Sequence, residues 1–289
     1  MRLQTSSFPT MTATTGGMVP TPPNDATKYL DGTGVFSVPA GGSSHPDSNL
    51  NGWTYANNAT DPTNDIDIAA GSGWDATRTY YTTGAASTKR LDAAWAVGSG
   101  NGGLDTGSIG NSDYYIWAIA RSDTGVVDYL FSLSSTAPSM PASYDYKRLM
   151  GWFKRVGAVI VLFDTYETEG GGLEFNWKAP TRDVSLLNTL TTSRRTDAMK
   201  VPLNFSVLAR LSVYIVDGGG GSVNIICPDE TDVDVSSAGP EVCNFAVPTS
   251  TRLMTVRTSS SGLIAARAQL ATIDSYMVST RGFTWARRV

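Results

Sequence analysis

Histidine is almost missing from this chain. The 289 residues include one, His45, and only two cysteines, Cys227 and Cys243. A His-rich or Cys-rich metal cluster is therefore excluded. A Ser-His-Asp triad would have to use His45, which sits in a loop-like Gly-Gly-Ser-Ser-His-Pro run, and is rejected. Charge is also scarce. Charged residues make up 17% of the chain, the net charge is −4, and no run of Lys or Arg stands out. A phosphate-tracking surface for nucleic acid is thus not expected. The longest apolar run, Val156 to Phe163, is strand-sized and too short to cross a bilayer, so no membrane insertion is expected. The opening Met1 to Pro9 lacks the apolar core of a secretory signal peptide. The expectation is folding in a cytoplasm with reduced thiols, although the spacing of Cys227 and Cys243 would also suit a pair across a hairpin. No repeat of fixed period is found, which argues against a parallel β-helix.

Threonine, serine and glycine are plentiful instead: 34 Thr, 30 Ser and 29 Gly. With few charges, this composition favours short strands and turns over helices. Residues 1–52 hold six of the fourteen prolines and five charged residues. Proline removes a donor and fixes φ, so this stretch reads as an extended arm that orders on a partner or on its own copies. Beyond it, Asp113–Arg121 and Val126–Ser134 flank a Ser-Asp-Thr-Gly turn and predict a hairpin. Leu149–Val156 with Ala158–Asp164 predicts a second pair. Leu173–Lys178 alternates apolar and polar residues. Phe205–Val216 places Phe205, Val207, Ala209, Leu211, Val213 and Ile215 on one face. Further strands are expected at Val223–Cys227, Val242–Val247, Leu253–Thr258, Leu263–Leu270 and Ile273–Val278; a helix competes only at Leu263–Leu270. The fold expectation is all-β: antiparallel β-sandwich domains, jelly-roll-like, preceded by an extended N-terminal arm. The arm spans 1–52, one β-sandwich module 53–165 and a second β-rich module 166–289. The boundary is placed at the Glu- and Gly-rich Thr165–Gly172.

Chemistry-bearing constellations are few. Asp229, Glu230, Asp232 and Asp234 could serve a hard cation, but EF-hand spacing is absent, and a solvated turn is the expected reading. Glu167, Glu169 and Glu174 could supply a glycosidase pair, as any acidic surface could. Gly98 to Gly103 lacks a following Lys-Ser or Lys-Thr and a helix, so it is no phosphate loop. No catalytic residue, metal ligand or cofactor site is expected. Trp53, Trp74, Tyr80 and Tyr81 lie in polar, turn-rich sequence and are the candidate interface or ligand aromatics; Trp117, Trp152 and Phe131 are expected in the core.

Two stretches bear a resemblance. Lys28 to Pro39 carries Leu30, Gly32, Gly34, Phe36 and Pro39 and resembles a linker element of tailed-phage fibre and virion proteins. Residues 64–156, with Thr88-Lys-Arg-Leu-Asp-Ala-Ala-Trp-Ala-Val-Gly98, Tyr115 to Asp128 and Tyr144-Asp-Tyr-Lys-Arg148, resemble a module of phage and prophage structural proteins often described as tail-fibre-like. Residues 165–289 match nothing of that kind. The resemblance implies a non-enzymatic bacteriophage virion structural protein, assembled in the host cytoplasm. In that reading it is a short tail fibre or receptor-binding component, docked to other virion proteins by its N-terminal arm and contributing to host attachment. It implies a homotrimer and a glycan or protein receptor on the host surface. The alternative is a head fibre or capsid decoration protein. A glycan-degrading tail-associated enzyme and a free lectin-like sandwich are less favoured.

Overall fold

The structure, a computed structural model, describes residues 50–219, 221–232, 234–235, 249–269 and 273–287, and the backbone of Tyr29–Leu30 and Phe36–Ser37. The chain divides into two compact units, Met1–Asp47 and Ser48–Val289. In the first, β1 (Tyr29–Leu30) pairs antiparallel with β2 (Phe36–Ser37), and Leu30 lies opposite Phe36. Gly32, Gly34, Pro39 and His45 lie outside the described residues, as do Cys243 and the expected strand at Val242–Val247.

The second unit is all-β, with no α-helix among the described residues. Its chain-order strands begin with β3 (Asn51–Gly52), β4 (Tyr55–Asn57), β5 (Asp65–Ile68), β6 (Gly71–Trp74) and β7 (Tyr81–Gly84). Then come β8 (Ser87–Ala94), β9 (Gly102–Leu104), β10 (Asp113–Ala120), β11 (Val127–Ser132), β12 (Tyr146–Val156) and β13 (Val159–Ile160). After β14 (Phe163–Thr168) a short 3₁₀ turn at Glu169–Gly171 leads into β15 (Gly172–Trp177), so the expected boundary region forms a hairpin. The remainder is β16 (Arg182–Leu190), β17 (Arg195–Ala198), β18 (Leu208–Val216), β19 (Val223–Ile226), β20 (Thr249–Arg257), β21 (Leu263–Ala268) and β22 (Ile273–Trp285).

The first sheet runs β13-β12-β10-β11-β9-β8-β5-β4. Its centre is the expected hairpin, with Ile116 opposite Phe131 and Ala118 opposite Tyr129. β10 is buried along nearly its whole length, which explains its unbroken run of apolar and aromatic residues. The pairing is not wholly antiparallel: β9 runs parallel to both β8 and β11. The sheet curls until its ends meet. The Tyr55 hydroxyl of β4 accepts from the Trp152 amide (2.8 Å) and donates to the Trp152 carbonyl (2.9 Å), taking the place of a neighbouring strand on β12. Glycine is required opposite: a Cβ on Gly151 would stand 2.3 Å from the Tyr55 ring. Nearby, the Ile160 amide donates to the Thr63 carbonyl (2.9 Å). Closure of this kind removes an exposed sheet edge.

The second sheet runs β14-β15-β22-β18-β20, with β16 also paired to β22. β18 alternates as its sequence predicts: Ala209, Leu211, Val213 and Ile215 are fully buried. The strand starts at Leu208, three residues later than expected, leaving Phe205 outside it. On the inner face Phe163, Phe175, Trp177 and Phe283 form one aromatic cluster with Trp152 and Tyr55 of the first sheet. The Phe175 and Phe283 rings stack 4.8 Å apart. Two small sheets, β17-β21-β19 and β3-β6-β7, complete the unit. The stretch with a competing helical reading is β21, held between two partners in the first of these.

Candidate binding surface

Several buried ionisable groups are structural. Lys89 of β8 and Asp128 of β11 form a buried ion pair at 3.1 Å. The Lys89 ammonium also donates to the carbonyls of Ala96 (2.7 Å) and Gly98 (3.1 Å), and stands 5.5 Å from the Trp95 ring centre. Burial pushes the Lys89 pKa down, and Asp128 partly opposes that. The glycine-rich loop therefore wraps a buried cation. No sequence reading singled out this pair, because its members lie far apart in the chain and their strands are joined through a parallel one.

Arg287 is a second buried cation. Its guanidinium donates to the carbonyls of Gly171 (3.0 Å), Trp53 (3.2 Å), Gly52 (3.1 Å) and Gly172 (3.4 Å). Arg148 in turn donates to the Arg287 carbonyl at 2.8 Å. Burial, and for Arg148 the neighbouring Arg287 charge, push both guanidinium pKa values down to about 10. The two arginines line a small cleft of about 180 Å³ with Trp117, Leu149, Phe205 and Trp285.

The acidic groups do not converge. Glu167 accepts from the Gly52 amide at 2.9 Å, whereas Glu174 pairs with Arg210 at 2.8 Å. In the β14–β15 ladder Glu174 lies opposite Tyr166 and Glu167 opposite Leu173, so the two carboxylates face opposite sides. Asp232 and Asp234 both pair with Arg267. Among the described residues no group of three or more His, Cys, Asp or Glu is placed to hold a metal ion. Cys227 is a buried free thiol whose pKa burial raises.

The four candidate aromatics separate. Trp53 is fully buried and donates its indole N–H to the Tyr129 hydroxyl at 3.0 Å, so its ring is part of the core. Its polar surroundings in sequence mislead: Gly52 and Trp53 both have positive φ, and the resulting turn points the ring inward. Trp74 and Tyr81 pack edge-to-face across the β6–β7 hairpin, centroids 5.3 Å apart. Tyr80 stacks on Tyr146 at 4.2 Å. All three are half-buried and fixed by these neighbours, which leaves partly exposed ring surface.

A further open surface lies on the outer face of the second sheet. Along β18 the outward side chains are Leu208, Arg210, Ser212 and Tyr214. β20 is exposed almost throughout, Leu253 to 80%. Three shallow grooves cross this face. One of about 330 Å³ lies between Arg182, Tyr214 and Met277. A second, of about 340 Å³, lies between Arg210, Arg281 and Leu253. The third, of about 270 Å³, lies between Leu208, Arg257 and Thr284. Sequence reading missed this surface. Its arginines are scattered over four strands and meet only when those strands are paired.

Comparison with protein-family models, with curated proteins and with solved structures returns no match for this chain.

Proposed function

We infer that this chain is a structural component of a tailed-phage virion, a short tail fibre or receptor-binding protein that works by presenting a surface rather than by turning over a substrate. One observation carries the reading. The residues on which the phage-module resemblance rests are those that build the first sheet's buried polar scaffold. Lys89, Trp95 and Asp128 form one network. Tyr144 packs edge-on against Trp95 at 5.3 Å, and Arg148 anchors the carbonyl of Arg287. A buried polar network of this kind supports a durable, uniquely packed body. Support comes also from the self-closing first sheet, which suits a protein that must persist outside a cell, and from the separate first unit, which suits a docking arm.

In this reading the first unit attaches the protein to the particle, the body projects, and copies associate as a homotrimer. Antibody labelling of intact particles tests the location, and label on the tail is expected; label confined to the head would replace the tail assignment with a head fibre. Deleting residues 1–40 is expected to abolish incorporation. Light scattering is expected to give three times the 30.7 kDa of one chain.

A further inference from the structure

The outer face of the second sheet carries a diagonal of cations that the pairing registers define. Arg182 of β16 lies opposite Ser279 of β22. Arg281 lies two residues further along β22. Arg210 of β18 lies opposite Gly282, and Arg257 of β20 lies opposite Leu208, which lies opposite Thr284. Each step thus moves one strand across and one or two residues along. With strands spaced by about 4.8 Å and residues by about 3.3 Å, the four guanidinium-bearing positions span roughly 22 Å, about 7 Å apart. A bulge makes the line possible: the register of β18 with β22 shifts between Arg210 and Leu211, leaving Arg281 as the extra residue. Arg281 lines the same groove as Arg210 and Leu253, so it faces outward with them.

Cations outnumber carboxylates on this face, where Glu169 lines the groove of Arg257 and Glu174 pairs with Arg210. Arg210 is held by Glu174 and by the Asn176 side chain. Arg182, Arg257 and Arg281 are exposed, and none makes an ion pair with the described residues. Each of the three grooves contains at least one of these arginines. Between them lie hydroxyls, Ser212, Ser279 and Thr255, and apolar surface from Tyr214 and Leu253. An excess of cations on one face of a chain with net charge −4 is a local field available to an anionic partner.

We propose that the outer face of the second sheet binds a linear acidic polysaccharide along the Arg182–Arg281–Arg210–Arg257 diagonal. The planar guanidinium fork pairs with a carboxylate through two parallel N–H···O bonds, and the hydroxyls and ring faces between the arginines match sugar hydroxyls and sugar rings. Four cations could neutralise at most about four phosphates, so duplex DNA is expected to bind less tightly than the polysaccharide. The proposal deepens the host-attachment reading and rests on it for the biological source of the polymer.

The test is affinity electrophoresis of the full chain in gels containing polygalacturonate, the neutral polymer dextran, or duplex DNA. Polygalacturonate is expected to retard the protein, less so as salt is raised, and dextran is not. The triple variant Arg182→Gln, Arg257→Gln, Arg281→Gln is expected to lose affinity about tenfold or more. A control of equal charge change on the first-sheet side, Arg90→Gln, Arg121→Gln, Arg155→Gln, is expected to lose less than about threefold. Near-UV circular dichroism checks that each variant is folded; if the triple variant is not, Arg281→Gln alone is read the same way with a smaller loss. The proposal is overturned if polygalacturonate does not retard the protein, if the control loses as much as the triple variant, or if DNA binds more tightly than polygalacturonate. Failure of the virion reading is seen separately, as absence of the protein from purified particles by mass spectrometry, whatever the gels give.

Discussion

Replacing Arg287 by Met removes the donor that four carbonyls share. Gly52, Trp53, Gly171 and Gly172 would lose their partner, three of them buried and Gly52 half-buried. A buried acceptor left unsatisfied costs ~1–3 kcal/mol, so the four together cost about 4 kcal/mol. Part of that is returned, because the burial that lowers the Arg287 pKa to about 10 also burdens the folded state with a poorly solvated charge. The methionine stem also refills most of the volume. The net expected loss is about 3 kcal/mol, a large share of the 5–15 kcal/mol typical of a whole domain. The assay is equilibrium urea unfolding followed by the fluorescence of the seven tryptophans. The midpoint should fall with an unchanged slope. Arg287→Lys, which restores a cation but not the planar fork, should recover at most half of the loss. A destabilisation below about 1 kcal/mol for Arg287→Met would refute the reasoning, since it would mean the four carbonyls find other partners.

Lys89→Met should cost about 3–5 kcal/mol by leaving Asp128 buried without its cation, whereas the double change Lys89→Met with Asp128→Leu should recover much of it; thermal unfolding of the set tests this. Ala at Gly171 should destabilise strongly, because that glycine has φ +74° and a Cβ there would stand 1.8 Å from the Leu50 carbonyl; the same unfolding assay reads it, and a cost under about 1 kcal/mol would count against it. Burial holds the Tyr115 and Tyr129 hydroxyls up to about 12, from 10 in the unfolded chain. The unfolded state therefore ionises them first, and the stability they contribute is complete below pH 10 and lost as pH rises through about 12. The buried arginines act in the opposite sense, so tyrosinate absorbance is the better readout: part of the signal from the twelve tyrosines should appear only with unfolding.

The fold class could be read from the sequence wherever one strand decides its own pattern. β10 and β11 advertise themselves by aromatic and β-branched runs around a Gly-containing turn, and β18 by strict alternation. The short strands β4, β5, β6 and β9 could not be seen, since three or four residues carry too little periodicity and their stability comes from neighbours supplied by distant chain. The run Ala158–Asp164 reads as one strand but breaks after Ile160, where β13 ends, and resumes as β14 in another sheet; a continuous apolar segment does not reveal which of two sheets its halves join. Charges were the least legible. Neither the Lys89–Asp128 pair nor the arginine diagonal has any signature along the chain, because each depends on registers between strands.

The Arg287 latch also has a consequence for the order in which the protein is made. Every other element of the body precedes it in synthesis, yet it secures the turns at Gly52–Trp53 and Gly171–Gly172. A chain emerging vectorially from a ribosome can pair β10 with β11 early, but these two turns cannot be fastened until the segment bearing residue 287 is free. The nascent body is therefore expected to wait in a partly sealed state, with its aromatic interior open to solvent or to a chaperone, and to lock in one late step.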